Sequence, residues 1–279
     1  MTSTGPVLEV SNLAVEYPKS GFRQQPHRVI QDVSFSLGVG ETLALVGESG
    51  SGKSTIGKAI LGLAPVAAGR VTLKDQDITR LSARARRPLA SELQAVFQNP
   101  YGSLNPSLTV GQILAEPLRA ARIGAREAHD RIATLLQRVR MPVDTMTRYP
   151  GEFSGGQRQR IAIARAIALD PGVVICDEPT SALDVSTQAA VLELLAELQS
   201  RLQVSYLFIT HDLAVVRQFA DRTLVLQAGR IVEEGTSAEV CERPVHPYTQ
   251  RLVAAAPVPD PVLQRERRRA RLETPVRVA

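Results

Sequence analysis

Short apolar runs without polar breaks recur along this chain, separated by stretches in which apolar residues return every three or four positions. Thr42-Leu43-Ala44-Leu45-Val46, Val173-Val174-Ile175-Cys176 and Tyr206-Leu207-Phe208-Ile209-Thr210 are the clearest runs. Each has the length and composition of a strand buried on both faces, the pattern of a parallel sheet covered by helices. Ala95-Val96-Phe97 is a shorter candidate strand. The helical period is plainest over 188–202, where Val191, Leu192, Leu194, Leu195, Leu198 and Leu202 share a face. Residues 107–141 are rich in Ala, Leu and Arg and predict several helices, punctuated by Pro100, Pro106, Pro117, Pro142 and Pro150. The alternation predicts an α/β fold with a mainly parallel sheet and no internal repeat.

The first apolar run feeds Gly47-Glu48-Ser49-Gly50-Ser51-Gly52-Lys53-Ser54, and Thr55 opens the helix-forming stretch that follows. Strand, glycine-rich loop and helix in that order form a phosphate cradle. The glycines free backbone N–H groups to surround an anion, and the helix adds the positive end of its dipole. Lys53 is expected to reach the β- and γ-phosphates of ATP and Ser54 to ligate Mg²⁺. A chance glycine loop would lack the flanking strand and helix.

A second element follows the run 173–176. Asp177 sits at its end, where a carboxylate can hold Mg²⁺ through water, and Glu178 is the candidate base for the water attacking the γ-phosphate. An acidic pair at a strand end is ordinarily a solvated turn, but the upstream loop reverses that reading. His211 follows the run 206–210, so its imidazole is predicted at the same sheet edge. Gln98 follows the run 95–97, where a neutral amide would touch Mg²⁺ or the attacking water.

Phe153-Ser154-Gly155-Gly156-Gln157-Arg158-Gln159-Arg160 resembles the signature loop and helix of the ATP-binding subunits of ABC transporters, and the resemblance spans nearly the whole chain. Phe153 stands where Leu is usual; being apolar and bulky, it implies no loss of activity. The resemblance implies a P-loop NTPase core with an N-terminal antiparallel β subdomain and an α-helical subdomain inserted at about 100–165. It also implies an ATPase domain over 1–255 and a basic tail over 256–279. Tyr17 is then the aromatic that stacks on adenine, Gln98 the Q-loop residue, Ser181-Ala182-Leu183-Asp184 the D-loop and His211 the switch histidine. Ser154, Gly155, Gly156 and Gln157 would act on the ATP of an opposing subunit in a head-to-tail pair. Without the resemblance, the same residues would be an ordinary helix cap and Tyr17 ordinary packing.

Composition supports a large core of Val, Ile, Leu and Ala, since 44% of the 279 residues are hydrophobic but only 4% aromatic. The formal charge of +5 invites a nucleic-acid reading. Much of the excess sits in Arg265, Arg267, Arg268, Arg269 and Arg271, a tail suited to solvent or to anionic lipid headgroups, and no aromatic residues interleave with the basic ones. No nucleic-acid partner is expected. Arg84, Arg86 and Arg87 read as a solvated face. Cys176 reads as packing, and with Cys241 it supplies no disulfide framework or metal cluster. No run approaches the roughly 20 apolar residues needed to span a bilayer.

Two further stretches, Gln98-Asn99-Pro100-Tyr101-Gly102-Ser103-Leu104-Asn105-Pro106 and His246-Pro247-Tyr248-Thr249-Gln250-Arg251-Leu252, resemble segments of the peptide and nickel importer subfamily. Physically they are turn-forming punctuation. The resemblance implies uptake of dipeptides, oligopeptides or nickel at the cytoplasmic face of the membrane, with two permease subunits and an extracytoplasmic binding protein. A second related ATPase, or a second copy, would complete the pair. Cysteines that carry an iron–sulfur cluster in some subfamily tails are absent here, so the expected cofactors are ATP and Mg²⁺ without a cluster. Cytosolic ABC ATPases acting on DNA or ribosomes share the generic motifs; they usually carry a long coiled-coil insertion or two cassettes, and this chain shows no sustained heptads.

Overall fold

The computed structural model describes residues 5–18, 27–98 and 100–255. Asn99 and the arginine-rich tail therefore lie outside the described residues, and at Pro100 and Tyr101 only the backbone is described.

Among the described residues, ten strands form two sheets: β1 (Leu8–Tyr17), β2 (His27–Leu37), β3 (Thr42–Val46), β4 (Val66–Leu73), β5 (Gln76–Asp77), β6 (Leu93–Val96), β7 (Val173–Asp177), β8 (Ser205–Thr210), β9 (Arg222–Gln227) and β10 (Arg230–Thr236). The first sheet is antiparallel, in the order β2-β1-β4-β5. The second runs β10-β9-β3-β8-β7-β6 and is parallel except for the β9–β10 hairpin at its edge.

Side chains alternate across a strand, and here the alternation sorts them into two layers. From β7, Val173 and Ile175 face a cluster shared with the antiparallel sheet and the helix Lys53–Ile60; from β8, Leu207 and Ile209 join them. Val174, Cys176, Tyr206 and Phe208 point the other way, into a cluster with the helices Val110–Ala120, Ala125–Arg138, Gly155–Ala166 and Val185–Leu202. Cys176 is fully buried there, and burial pushes its thiol far above the ordinary range, so it packs as an inert apolar group. Ala44 and Val46 of β3 face a third, smaller cluster that includes Tyr248 from the helix Pro247–Ala255.

Four sequence readings need correction. The segments 98–106 and 246–252, read as turn-forming, include the helix Pro100–Ser103 and the start of the helix Pro247–Ala255. The helix expected over 188–202 begins at Val185, because Asp184 caps it and its first turn is polar, outside the apolar period. Pro117 does not punctuate the helices but lies inside Val110–Ala120. It stands near the C-terminal end, where the helix continues past it with Ala121 N–H bonding its carbonyl at 3.0 Å.

Arg86 is not on a solvated face. Its guanidinium is half-buried and donates to the carbonyl of Ile60, the last residue of the helix Lys53–Ile60, at 2.9 Å, and to the carbonyl of Ile78. A cation on an orphan helix carbonyl satisfies it and complements the dipole. Arg84 and Arg87 remain exposed. Truncating Arg86→Ala should lower unfolding free energy by about 1–3 kcal/mol, read by urea denaturation, because two carbonyls lose their partner. Arg86→Lys should recover only part, since a single ammonium replaces a planar fork.

Candidate functional site

Parallel register decides what meets at the sheet's edge. Val46 pairs with Thr210, Asp177 with Ile209, and Val96 with Cys176. The residues that follow each strand therefore emerge side by side: the loop from Gly47, Glu178, His211 and Gln98. They line a cleft of about 590 Å³, together with Glu48, Ser49, Gly50, Gly52, Lys53, Ser54, Thr55, Val29 and Leu252. That is ample for a nucleotide.

The loop's glycines are required for two different reasons. Gly47 has φ 154° and a Cβ there would stand 2.2 Å from the Leu226 carbonyl; Gly52 has φ 108° and its Cβ would meet Ile30 Cδ1 at 2.5 Å. Packing beneath the loop forbids side chains at both positions. At Gly50 nothing lies within 4 Å, and its φ of 82° alone favours glycine.

Lys53 is buried, and its Nζ donates to the carbonyls of Gly47 and Glu48, each at 2.8 Å. Burial pulls its pKa down, opposed by the charges of Glu178, Asp177 and Glu48. The Ser54 hydroxyl donates to Asp177 Oδ1 at 2.8 Å. Asp177 is pushed above the ordinary carboxylate range, first by burial and further by Glu178 beside it, with the Ser54 bond, Lys58 and Lys53 opposing. The buried Ser51 hydroxyl has no partner among the described residues. A desolvated ammonium and a destabilised carboxylate at one loop suit a polyanion with a hard cation.

Glu178 stands at φ 48°, and its backbone N–H donates to Ile209 O at 2.9 Å. Gln98 Nε2 donates to Glu178 Oε2 at 3.0 Å, and His211 Nδ1 lies 3.3 Å from Oε1. Both oxygens of one carboxylate are thus held by residues from two other strand ends.

Other predicted residues lie elsewhere. Tyr17, half-buried at the end of β1, packs against the antiparallel sheet's cluster and does not line the cleft. Ser154 and Gln157 engage each other in a capping box: the Ser154 hydroxyl accepts from Gln157 N–H at 3.3 Å and Gln157 Oε1 accepts from Ser154 N–H at 2.9 Å. With Gly156 they border a separate groove that also holds Arg140, Arg160 and Thr187. Gly155 opens the helix beside them. Within one chain these residues do not meet the loop. Asp184 caps its own helix, accepting from Ser186 Oγ at 2.6 Å and from Thr187 N–H at 2.9 Å. Those hydrogen bonds, the Ser186 bond foremost, hold it well below the usual carboxylate range. Phe153 is buried in the large helical cluster with the Arg148 guanidinium 4.5 Å above its ring. Sequence reasoning did not place Val29 or Leu252 at the cleft, because an apolar residue facing a cleft is indistinguishable in sequence from one facing a core.

Among the described residues, no helix is long and apolar enough to cross a membrane. Residues 30–181 match the ABC transporter family, and residues 232–278 match the oligopeptide/dipeptide transporter C-terminal region. A putative peptide import ATP-binding protein of Brucella ovis is 47% identical over 276 residues, covering 99% of this chain and 86% of that protein. The oligopeptide transport ATP-binding protein OppF of Salmonella typhimurium is 45% identical, over 96% of this chain and 82% of OppF. The glutathione import ATP-binding protein GsiA of Pectobacterium atrosepticum is 49% identical over 92% of this chain, which matches only 42% of GsiA. Among solved structures, cbiO1 of Clostridium perfringens, part of the cbiONQ ABC transporter complex, superposes with a TM-score of 0.75 at 27% identity, over 86% of this chain and 92% of that one. The ATP-binding cassette MJ0796, a post-hydrolysis dimer bound to ADP and Pi, gives 0.73 at 27% identity, over 82% and 98%. Kinship along almost the whole chain agrees with the shared cassette fold: the chain belongs to the ABC transporter family, as one of its ATP-binding and ATP-hydrolysing subunits.

Proposed function

We propose that this chain energises the import of dipeptides or oligopeptides from the cytoplasmic face of the membrane. Two transmembrane permeases, a binding protein on the far side and a second ATPase, related or identical, complete the system. The observation that carries this reading is the presence of both halves in one chain: an assembled nucleotide cleft, and a C-terminal region matching the oligopeptide/dipeptide transporters.

In this reading Lys53 leaves its carbonyl partners for the β- and γ-phosphates, and the N–H groups of the loop 47–55 surround them. Ser54 and Asp177, already in contact, would hold Mg²⁺ together with Gln98, Asp177 through water. Mg²⁺ would supply charge neutralisation on the phosphate oxygens. Glu178 takes the proton of the attacking water, while Gln98 and His211 hold its carboxylate in place. Tyr17 stacks on adenine from the antiparallel sheet. The capped helix start at Ser154, Gly155, Gly156 and Gln157, far from its own loop, is suited to close over the γ-phosphate of a partner. Asp184, on the adjoining D-loop, helps order that junction.

The chain purified with its membrane partners in lipid should bring two permeases and hydrolyse ATP faster when peptide-loaded binding protein is added. Recovery with ribosomes or DNA and no membrane subunit would overturn the import reading. Glu178→Gln should lower turnover by about 100-fold or more while ATP binding is retained, as read by single-turnover hydrolysis and calorimetry. Near-normal turnover would remove Glu178 from this role. Asp177→Asn should abolish Mg²⁺-dependent turnover yet raise the Tm of the nucleotide-free protein by about 2 °C. The sign follows from linkage: a raised folded-state pKa means the native state binds the proton more tightly, so ionisation costs stability above that pKa. Below the unfolded-state value both forms are neutral, and the gain in Tm should vanish.

A further inference from the structure

Tyr248, in a segment whose composition reads as turn punctuation, sits directly behind the phosphate loop. Tyr248 is 4% exposed, packed among Ala44 and Val46 of β3, Val225 of β9, and Leu213, Val216 and Val240. Its hydroxyl accepts the backbone N–H of Glu48 at 3.0 Å. That N–H belongs to the same planar peptide unit as the Gly47 carbonyl, which accepts Lys53 Nζ at 2.8 Å. One rigid plane is therefore held at both ends, by the phosphate lysine on one side and by Tyr248 on the other. Rotating it would turn the Gly47 carbonyl off the lysine.

The segment carrying Tyr248 is itself fastened. Glu233 of β10 accepts Val245 N–H at 2.8 Å and His246 N–H at 3.0 Å, and His246 Nδ1 accepts Tyr248 N–H at 3.2 Å. One helical turn beyond, Leu252 lines the nucleotide cleft. A chain of contacts thus runs from β10 through the start of the helix Pro247–Ala255 into the loop.

We propose that Tyr248 is a positioning residue of the phosphate loop, and that the Glu233-anchored helix Pro247–Ala255 forms a wall of the nucleotide cleft. This rests on the cleft being the ATP site, not on peptide as the cargo. The phenol orders the first peptide of the loop before nucleotide arrives, so binding does not have to order it. The ring supplies packing and the oxygen supplies position, and the two are separable by substitution.

The test uses the full-length chain, with ATP binding followed by calorimetry and turnover by steady-state kinetics in the permease complex. Tyr248→Phe keeps the ring and removes the acceptor. It should weaken ATP binding about 3- to 10-fold and raise KM in parallel, with a smaller change in kcat and an unchanged Tm without nucleotide. Glu233→Gln weakens the anchor of the same segment, so adding it to Tyr248→Phe should cost less than the sum of the two single effects. Unchanged ATP affinity in Tyr248→Phe would overturn the proposal, as would a loss that appears only with a matching fall in Tm. If the unaltered chain itself fails to bind ATP, the site assignment fails instead, which separates the two ideas.

Discussion

Everything at the site depends on parallel strands ending level. With Val46 beside Thr210, Asp177 beside Ile209 and Val96 beside Cys176, the loop, Glu178, His211 and Gln98 leave the sheet at one edge. A slip of one residue in any pair would exchange inward and outward faces along the whole strand. Here that would drive Leu207 and Ile209 out of one layer and Tyr206 and Phe208 out of the other. The two apolar layers therefore hold the catalytic register more firmly than any contact within the site could.

Against that fixed edge the cleft is electrostatically unsettled. Lys53 is desolvated and spends its hydrogen bonds on carbonyls of its own loop; Asp177 is held above its ordinary range next to Glu178. A nucleotide with its cation would satisfy both groups at once. In the scaffold, by contrast, Arg86 already donates to the carbonyl of Ile60 at the helix end and Tyr248 already accepts the Glu48 N–H of the loop.

The signature helix and the D-loop follow a different logic. Ser154, Gln157 and Asp184 spend their hydrogen bonds on capping their own helices. Gly156 lies so near the second of these helices that a Cβ would meet Thr187 Cγ2 at 2.2 Å. The two helix starts are pressed together as one surface, away from the cleft of the same chain. In the proposed pair, that face is the one suited to meet a partner.

Much of the site was legible in order along the chain, because glycine spacing, an apolar run and a charged residue at its end are local facts. Thr42–Val46 reads as a buried strand, and Gly47–Ser54, between that strand and a helix-forming stretch, as a loop suited to an anion. Polar residues whose role is set by what lies across space were not legible. Arg86 resembled its exposed neighbours Arg84 and Arg87 until the helix end at Ile60 came within reach. Tyr248, two hundred residues downstream of Glu48, resembled loop punctuation until β3 and β9 buried its ring and left its hydroxyl facing the loop. The sequence by itself determined the chemistry of the phosphate loop and the acids, since backbone and side-chain chemistry act locally. Only the tertiary structure decided which distant groups brace them, because a hydrogen bond between remote residues depends on the register and burial of everything packed between.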